Sequence, residues 1–397
     1  MSATQPATDP SVPTQPQQPS QDQEVQQLLA QAAQLALNYE FQQAVDLLDS
    51  FSGDKSAYPE LAYKRGEYAQ QASQMVTWAD PSQIVNLSFH GLIANPTLAF
   101  AYDEVHNKYA KDYNKNFVTI GEFSQILEQV YANGYVLVSL DDIFSVQADE
   151  GGNISCAIKP LQLPLGKKPL VLTQTMINYY GYMINSKGFP SKLVVDANGK
   201  FSCEMVDANG NTVTGDFDLV PILESFIAQH PDFSYKGARA VLALTGDEGI
   251  FGYRGDQLQN AKPVVDALKA RGYELACYTY ANKNYGLITN AQIQSDLNSW
   301  AQEITPILGE TRILAFARNG EISSYSGDKF NTLQNAGFRI YLDFGSGRSG
   351  AQVSSNYISF QRLMVTGSAM AYSAASFTGM FDADAILDSQ RGTVPRS

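Results

Sequence analysis

The amino-acid sequence predicts an α/β protein built on a distorted barrel of about seven parallel strands. From residue 84 onward, short apolar runs alternate with amphipathic stretches, which is the pattern of consecutive parallel β/α units. Gly134, Gly272 and Gly337 each stand between a predicted helix and the next strand, where a left-handed C-cap is favoured. Because the sequence lacks the glycine fingerprint of dinucleotide-binding folds, the pattern favours a barrel over an open doubly wound sheet.

Three segments are predicted from changes in composition and periodicity. Residues 1–22 are rich in Gln, Pro, Ser and Thr, which predicts a disordered tether. Residues 23–77 carry apolar side chains at helical spacing and resemble one and a half tetratricopeptide-like units. So short an array favours a helical cap on the main domain, with a protein partner for these helices as the alternative. The barrel domain is predicted over residues 78–397.

The predicted strands are Ile84–Phe89, Tyr135–Ser139, Leu170–Thr173, Arg239–Leu244, Tyr273–Ala276, Arg312–Ala317 and Phe338–Leu342. The predicted helices between them are Val118–Ala132, Leu219–Gln229, Gln257–Ala270, Ala291–Leu308 and Lys329–Asn335. Residues 151–218 depart from this alternation, and Asp196-Ala-Asn-Gly199 and Asp207-Ala-Asn-Gly210 have the composition of hairpin turns. A β-rich insertion that leans over one end of the barrel is therefore predicted there.

Composition excludes several classes of partner. The chain has 397 residues and a net charge of −13, which argues against binding to nucleic acid or to an anionic membrane. No apolar run approaches the roughly 20 residues of a transmembrane helix. The first residues lack the basic start and apolar region of a signal peptide, so none is predicted in this sequence. Cys156, Cys203 and Cys277 show neither a repeated metal-ligand spacing nor a disulfide framework.

In a parallel β/α barrel the functional residues follow the carboxyl ends of the strands, an end we call the mouth. That rule selects His90, Asp141, Asp142, Thr175, Met176, Asp247, Glu248, Tyr278, Asn282, Arg318 and Asp343, with Arg254 and Asp256 in a glycine-bracketed loop at the same end. For His90 a buried, hydrogen-bonded structural role is favoured over a ligand role. His106 is predicted to be solvated and His230 to be structural.

A series of short motifs follows the predicted strands in a fixed order. They are Leu87-Ser-Phe-His-Gly-Leu-Ile93, Tyr135-Val-Leu-Val-Ser-Leu-Asp-Asp-Ile143, Lys167-Lys-Pro-Leu-Val-Leu172 with Asn178-Tyr-Tyr180, Val220-Pro-Ile-Leu223, His230-Pro-Asp-Phe-Ser-Tyr-Lys-Gly-Ala238, Ala243-Leu-Thr-Gly246, Gly252-Tyr-Arg254, and Glu274-Leu-Ala276 with Asn284-Tyr-Gly286. Their order resembles that of the polysaccharide deacetylases of the carbohydrate esterase 4 type, in their secreted Gram-positive branch, and the resemblance covers about residues 23–390.

The resemblance implies removal of acetyl groups from a glycan with one divalent metal, usually zinc. The family's base and metal-ligand aspartates fall on Thr175 and Met176, and its two histidine ligands fall on Tyr278 and Asn282. Zinc takes about three ligands from His, Asp, Glu or Cys, and a thioether, a phenol and a neutral amide replace them poorly. The Thr175 hydroxyl also cannot serve as a general base near neutral pH.

These substitutions favour a catalytically inactive homologue, a pseudoenzyme that binds a glycan or a protein through the barrel cleft, with no cofactor. The alternative is an active metal-dependent carbohydrate deacetylase with a rearranged metal site built from His90, Asp247 and Glu248. The resemblance further implies an extracellular or cell-surface location in a bacterium and a cell-wall or extracellular polysaccharide as partner. The candidate substrate-binding residues are His90, Tyr179, Tyr180, Asp247, Glu248 and Arg254, with Tyr253, Tyr278, Tyr280 and Tyr285 as further rings for stacking on sugars.

Overall fold

The structure, a computed structural model, describes residues 20–105, 107–344 and 350–396 of the chain. The predicted tether lies outside the described residues up to position 19, and so does His106. The described residues form two compact units: one consists of residues 20–36 and 40–74, and the other of residues 37–39 and 75–396.

The first unit is helical, as its periodicity predicts. Its helices are α1 (Gln21–Leu37), α2 (Phe41–Asp49) and α3 (Pro59–Ser73). Apolar residues of all three helices are buried, among them Val25, Val45 and Leu61. On the surface the Arg65 guanidinium pairs with the Asp49 carboxylate at 3.0 Å, and such exposed pairs contribute about 1 kcal/mol or less. This unit is therefore held mainly by its apolar faces.

The second unit contains all the strands of the described residues. They are β1 (Met75–Trp78), β2 (Val85–Phe89), β3 (Tyr135–Leu137), β4 (Phe144–Ala148), β5 (Ile154–Ile158), β6 (Leu161–Pro164), β7 (Lys168–Thr175), β8 (Lys192–Val195), β9 (Phe201–Val206), β10 (Thr212–Gly215), β11 (Val241–Leu244), β12 (Glu274–Cys277), β13 (Ile313–Ala315), β14 (Ile340–Phe344), β15 (Gly350–Val353) and β16 (Ile358–Met364).

The helices of the second unit surround these strands. They are α4 (Pro96–Phe100), α5 (Ala110–Asn116), α6 (Ile120–Ala132), α7 (Leu140–Ile143), α8 (Gly181–Asn185), α9 (Leu219–Gln229), α10 (Lys262–Arg271), α11 (Asn290–Glu303), α12 (Thr305–Leu308), α13 (Asp328–Asn335), α14 (Gly367–Tyr372) and α15 (Ala383–Ile386). Across the described ranges, no helix is both long enough and apolar enough to cross a membrane.

Seven parallel strands close into a barrel in the order β2, β7, β11, β12, β13, β14, β16 and back to β2. The predicted fold class is thereby confirmed. Along each strand, alternate residues face the surrounding helices and the barrel interior. On β2, Leu87 and Phe89 join the main apolar core, whereas Asn86 and Ser88 take the alternate, inward positions.

Strand β7 is the longest strand of the ring and explains why the barrel is distorted. One edge pairs with β2 along its length, from Leu170 opposite Val85 to Gln174 opposite Phe89. The other edge pairs first with β3 and then, from Thr173 onward, with β11. Strand β3 therefore runs beside the ring without belonging to it.

The strands that do not belong to the ring include an antiparallel meander, β8–β9–β10. Its two turns occur at the predicted Asp-Ala-Asn-Gly sequences, where the Gly199 N–H donates to the Asp196 carbonyl at 3.0 Å and the Gly210 N–H to the Asp207 carbonyl at 3.1 Å. The Leu193 N–H donates to the Phe251 carbonyl at 3.0 Å. This bond attaches the meander to the loop that follows β11, at the mouth of the barrel.

The structure corrects the identity of one ring strand. Six of the predicted strands belong to the ring, but Tyr135–Ser139 corresponds to β3 and lies beside it. The seventh ring strand is Ile358–Met364, which the sequence pattern did not indicate. Two predicted helices are also divided, each where a proline at the start of a second helix fits the first turn. The affected ranges are Gln257–Ala270, now a 3₁₀ turn followed by α10, and Ala291–Leu308, now α11 and α12.

Candidate functional site

The mouth of the barrel concentrates unusual backbone conformations. Within the described ranges, eleven non-glycine residues have positive φ, and eight of them lie in the loops that follow β7, β11, β12 and β13. They are Met176, Tyr179, Glu248, Phe251, Thr279, Asn282, Arg318 and Asn319. Thr279, at φ 58°, is β-branched and therefore especially disfavoured in this region. Strained backbone of this kind clusters at functional sites, where the surrounding structure enforces it.

His90 and Thr175 meet inside the mouth, at the ends of neighbouring strands β2 and β7. The His90 Nδ1 and the Thr175 Oγ1 are 2.7 Å apart, and the Thr175 hydroxyl also lies 3.3 Å from the Phe89 carbonyl. Burial, together with the nearby Arg362 guanidinium, lowers the pKa of His90 to about 4. His90 is therefore neutral at pH 7 and hydrogen-bonded to Thr175.

Arg362 on β16 occupies the barrel interior at the same level. Its side chain is fully buried. The Nη2 donates to the Phe316 carbonyl at 2.6 Å and the Nε to the Asp343 carbonyl at 3.3 Å. Among the described residues, Nη1 has no hydrogen-bond partner. A buried cation thus lies in the barrel interior close enough to His90 to affect the pKa of its imidazole.

The three remaining positions to which the resemblance assigns metal ligands, Met176, Tyr278 and Asn282, carry neutral side chains. Tyr278 is buried at the end of β12, with its ring centroid 5.7 Å from the Arg362 guanidinium carbon. Asn282 has φ 49°, and its buried Oδ1 has no hydrogen-bond partner in the described part of the chain. Met176 packs against an apolar cluster that includes Phe117, Tyr180 and Met183, so its thioether faces hydrocarbon.

Hydrogen bonds from side chains hold the mouth loops in place. The Asn178 amide donates to the carbonyls of Thr245, at 2.7 Å, and of Gly249, which links the loops after β7 and β11. Arg254 donates to the carbonyls of Glu248, at 2.9 Å, and of Tyr179. These two side chains are engaged with backbone atoms and thus stabilise the loops.

Asp218, at the start of α9, is a second buried anchor. Its carboxylate accepts hydrogen bonds from the Leu92 N–H at 3.0 Å, the Leu219 N–H at 2.8 Å, the Gln174 amide at 2.5 Å and the Tyr179 hydroxyl at 2.8 Å. Burial nevertheless raises the pKa of Asp218. One carboxylate therefore positions the loops after β2 and β7 against the insertion.

Most of the tyrosines predicted near the mouth are packed. Tyr179, Tyr180, Tyr278 and Tyr285 are buried, and the Tyr180 hydroxyl lies 2.5 Å from the Thr245 hydroxyl. The Tyr280 hydroxyl donates to the Glu303 carboxylate at 2.8 Å, and Tyr253 lies under the Lys192 ammonium at 5.0 Å.

A different group of rings carries partly exposed aromatic surface. Tyr109 and Tyr182 are half-buried, with centroids 5.1 Å apart, and Tyr182 stacks on Tyr180 at 5.8 Å. Tyr113 supports Tyr182 from the interior at 6.3 Å. We call Tyr109, Tyr113, Tyr180 and Tyr182 the tyrosine cluster.

Several predicted mouth residues lie elsewhere or have other partners. Asp141 and Asp142 follow β3, outside the ring, where Asp141 pairs with Arg312 and Asp142 caps α7. Asp343 accepts a hydrogen bond from the Tyr325 hydroxyl, and burial raises its pKa to about 6. The remaining charged residues of the prediction are exposed, namely Asp247, Glu248, Asp256 and Arg318. His230 packs on Tyr131 and Phe226, a structural position as predicted.

The donor set does not fit a hydrolytic zinc ion. Zinc requires about three ligands from His, Asp, Glu or Cys. His90 is the one such side chain among the five interior groups, which are His90, Thr175, Met176, Tyr278 and Asn282. The Glu248 carboxylate accepts the Gly181 N–H at 2.9 Å on the rim. Nowhere in the described ranges do three His, Cys, Asp or Glu side chains form a group that could hold a metal ion.

A cavity of about 870 Å³ lies away from the mouth, at the amino ends of β12, β13 and β14. Its lining includes Lys269, Glu274, Trp300 and Arg312. Glu274 accepts the Leu140 N–H at 2.7 Å, and burial raises the pKa of its carboxyl to about 8. The active sites of parallel β/α barrels lie at the carboxyl ends of the strands, whereas this cavity lies at the amino ends. The mouth therefore remains the candidate site.

The sequence interpretation missed three residues that define the site: Arg362, Asp218 and Tyr182. Arg362 lies on the ring strand that was not recognised. Its signal was a single charged residue between Phe360 and Leu363, two positions typical of a buried strand. Asp218 had the N-cap signal of an aspartate before an apolar helix.

The fold and the mouth together define a closed seven-stranded parallel β/α barrel whose mouth carries neutral donor side chains and a buried guanidinium. No protein-family model matches the chain, and no curated protein matches it. Among solved structures it is similar to the Streptococcus pyogenes deacetylase PplD in complex with acetate, with a TM-score of 0.38 and 11% sequence identity. That similarity covers 72% of this chain and 94% of PplD. We base no functional inference on a similarity of this degree.

Proposed function

We propose that this protein is a non-catalytic relative of the carbohydrate esterase 4 deacetylases that binds a glycan at the barrel mouth, at a bacterial cell surface or outside the cell. One observation carries the proposal: the positions to which the resemblance assigns the base and the metal ligands hold neutral side chains, and a buried guanidinium lies near two of the mouth residues, Tyr278 and His90. Arg362, Tyr278, Thr175 and neutral His90 together carry a positive charge, which repels a metal ion. The general base is absent as well, because the Thr175 hydroxyl cannot accept a proton near pH 7.

The tyrosine cluster supports a carbohydrate ligand. Sites for small polar ligands combine aromatic surface with a few polar groups that fix orientation. Tyr109 and Tyr182 supply half-buried rings, and Asp247, Glu248 and Arg318 supply exposed charged groups in the mouth loops. Burial raises the pKa of Tyr182 to about 12. The charges of Glu248, which raises this pKa, and Arg318, which lowers it, also act on the Tyr182 hydroxyl. Rings and polar groups therefore share one surface.

The rearranged metal site is the competing hypothesis, and the geometry disfavours it. His90 already bonds to Thr175 through Nδ1, and Glu248 already accepts the Gly181 N–H. Both Asp247 and Glu248 are exposed on the rim, whereas Arg362 lies beside His90 in the interior.

The test measures metal content, hydrolysis and binding on the same protein, purified without chelator. We expect less than a tenth of an equivalent of zinc, no acetate release from an N-acetylated glycan after zinc is added, and saturable binding to cell-wall polysaccharide. Tyr182→Leu should weaken that binding about fivefold, because an aromatic contact contributes roughly 1 kcal/mol.

Tyr63→Leu is the matched control, since Tyr63 is a 70% exposed tyrosine of the helical unit and should leave binding unchanged. Stoichiometric zinc with acetate release that is lost on chelation would establish the hydrolase instead. Binding that is equally weakened by Tyr182→Leu and Tyr63→Leu would remove the mouth as the binding surface.

A further inference from the structure

Arg362 is a buried charge without an ion pair, because the carboxyl groups that attract it, Asp343 and Glu321, lie beyond salt-bridge distance in the described part of the chain. Its side chain is fully buried, and the two hydrogen bonds it makes go to neutral carbonyl oxygens of Phe316 and Asp343. Among the described residues it forms no salt bridge within 4.0 Å. A buried charge is costly unless it is paired, so this guanidinium calls for a partner of opposite charge.

The nearest carboxyl group offsets the charge of Arg362 only in part. Asp343 is adjacent through its backbone carbonyl, but its carboxylate accepts a hydrogen bond from the Tyr325 hydroxyl and forms no ion pair with Arg362. Burial raises the pKa of Asp343 to about 6, so it is ionised at pH 7 and attracts the guanidinium from a distance. The free Nη1 is one arm of the guanidinium fork, and Nη2 also carries a second proton. Such a fork matches the two oxygens of a carboxylate.

The neighbours of Arg362 suit an anion better than a cation. His90 is neutral with a half-buried ring, and Tyr278 places its ring 5.7 Å from the guanidinium carbon. No acidic side chain takes part in the interior group of His90, Thr175, Tyr278 and Arg362. The position that would hold a divalent cation in a deacetylase is therefore a cationic, hydrogen-bonding and poorly hydrated environment.

We propose that the barrel mouth holds a carboxylate anion on Arg362, with Nη1 as the donor that is free in the protein alone. Full burial of the side chain limits the ligand to a small group that enters past half-buried His90. The carboxylate belongs either to a free small acid or to an acidic sugar such as a uronate residue of a polysaccharide. This site stands independently of whether the tyrosine cluster binds a neutral glycan.

The experiment compares thermal unfolding in sodium formate, sodium acetate and sodium chloride at equal ionic strength, followed by a titration with an oligouronate. For the native protein we expect formate to raise the midpoint by about 5 °C over chloride at roughly 100 times its Kd. Arg362→Met should abolish that difference. Arg396→Met, which removes an exposed arginine near the C-terminus, should preserve it and so controls for general salt effects.

Line broadening of ¹³C-formate by the native protein gives a second readout that does not depend on the folding of Arg362→Met. Arg362→Lys keeps the charge without the fork and should weaken formate binding at least tenfold. Stabilisation by formate or acetate assigns a free acid to the site, whereas stabilisation by the oligouronate alone assigns an acidic sugar. Equal midpoints in all salts without broadening, or the same response in Arg362→Met, would overturn the proposal.

Discussion

Two fully buried arginines of this chain have opposite surroundings. Arg391, near the C-terminus, pairs with Glu122 of α6 through two contacts of 2.5 Å, Nε to Oε1 and Nη2 to Oε2. It also donates to the carbonyls of Asn114 and Phe117, each at 2.7 Å. Arg362 in the barrel mouth has two carbonyl partners, no carboxylate partner and a free Nη1.

The contrast separates a structural role from a functional one. The Arg391 side chain is fully satisfied, and Glu122 also closes the capping box of α6 through the Thr119 N–H at 2.8 Å. This pair leaves no charge or donor that a ligand would satisfy. Arg362, in contrast, has an unsatisfied donor at a mouth with strained backbone, and a buried unsatisfied polar group at such a place indicates a ligand.

The largest effect is expected where the satisfied pair is broken. Glu122→Gln should leave the Arg391 guanidinium buried without a counter-charge and lower the free energy of unfolding by about 3–5 kcal/mol. Urea denaturation followed by circular dichroism measures it. Arg396→Met, which changes an exposed arginine near the same terminus, should stay within about 0.5 kcal/mol. A loss below about 1 kcal/mol for Glu122→Gln would show that the pair contributes little.

An intermediate effect is expected from the pH dependence of His90. Its pKa is about 4 in the folded chain and near 6.5 when unfolded, so the unfolded chain binds more protons between these values. Stability is therefore complete above pH 6.5 and falls by up to about 3 kcal/mol as the pH approaches 4.

His90→Gln should flatten this part of the stability profile. Arg362→Met should raise the pKa of His90 toward 6.5, because one of the two causes of its depression is removed. NMR titration of the imidazole protons checks the second expectation. An unchanged His90 pKa in Arg362→Met would show that the guanidinium does not act on His90.

The smallest effect is expected for Arg362→Met in buffer without carboxylates. Replacing a buried, unpaired charge with an apolar side chain of similar length removes a desolvation cost and two hydrogen bonds at once. We therefore expect a change in the free energy of unfolding within about 1 kcal/mol, measured by urea denaturation. A loss near 4 kcal/mol would make Arg362 a structural residue like Arg391.

The fold could be predicted from sequence as far as apolar patterning reports burial. Strands β2, β7, β11, β12, β13 and β14 carry apolar runs between turns and were recognised. Strand β16 reads Ile-Ser-Phe-Gln-Arg-Leu-Met, and its inward arginine gave it the alternation of a half-solvated strand. Strand β3 is fully buried but lies beside the ring. Its apolar residues indicate that it is buried, but they cannot indicate which strands it pairs with.

The sequence predicted where the site lies but not which side chains occupy its interior. The strand-end rule located His90 and Thr175, which the structure brings together, and Tyr278, which lies beside Arg362. The rule could not show that Arg362 lies near both Tyr278 and His90, because the direction of an inward side chain depends on which strand joins the ring. Nor could it distinguish the buried Tyr179 and Tyr180 from the half-exposed Tyr182, since all three lie within four consecutive residues.

The ring is closed by its first and last strands, β2 and β16, and this has a consequence for synthesis of the chain. A polypeptide made from its N-terminus exposes the free edge of β2 until β16 has been made. The carboxylate of Glu122 has no guanidinium partner until Arg391 has been made, 269 positions later. A chain interrupted before Ile358 therefore carries an open parallel edge and an unpaired acid together, whereas one interrupted between Met364 and Arg391 lacks only the partner of Glu122. Ribosomal stalling before β16 would thus leave a strand edge exposed to pairing with another chain.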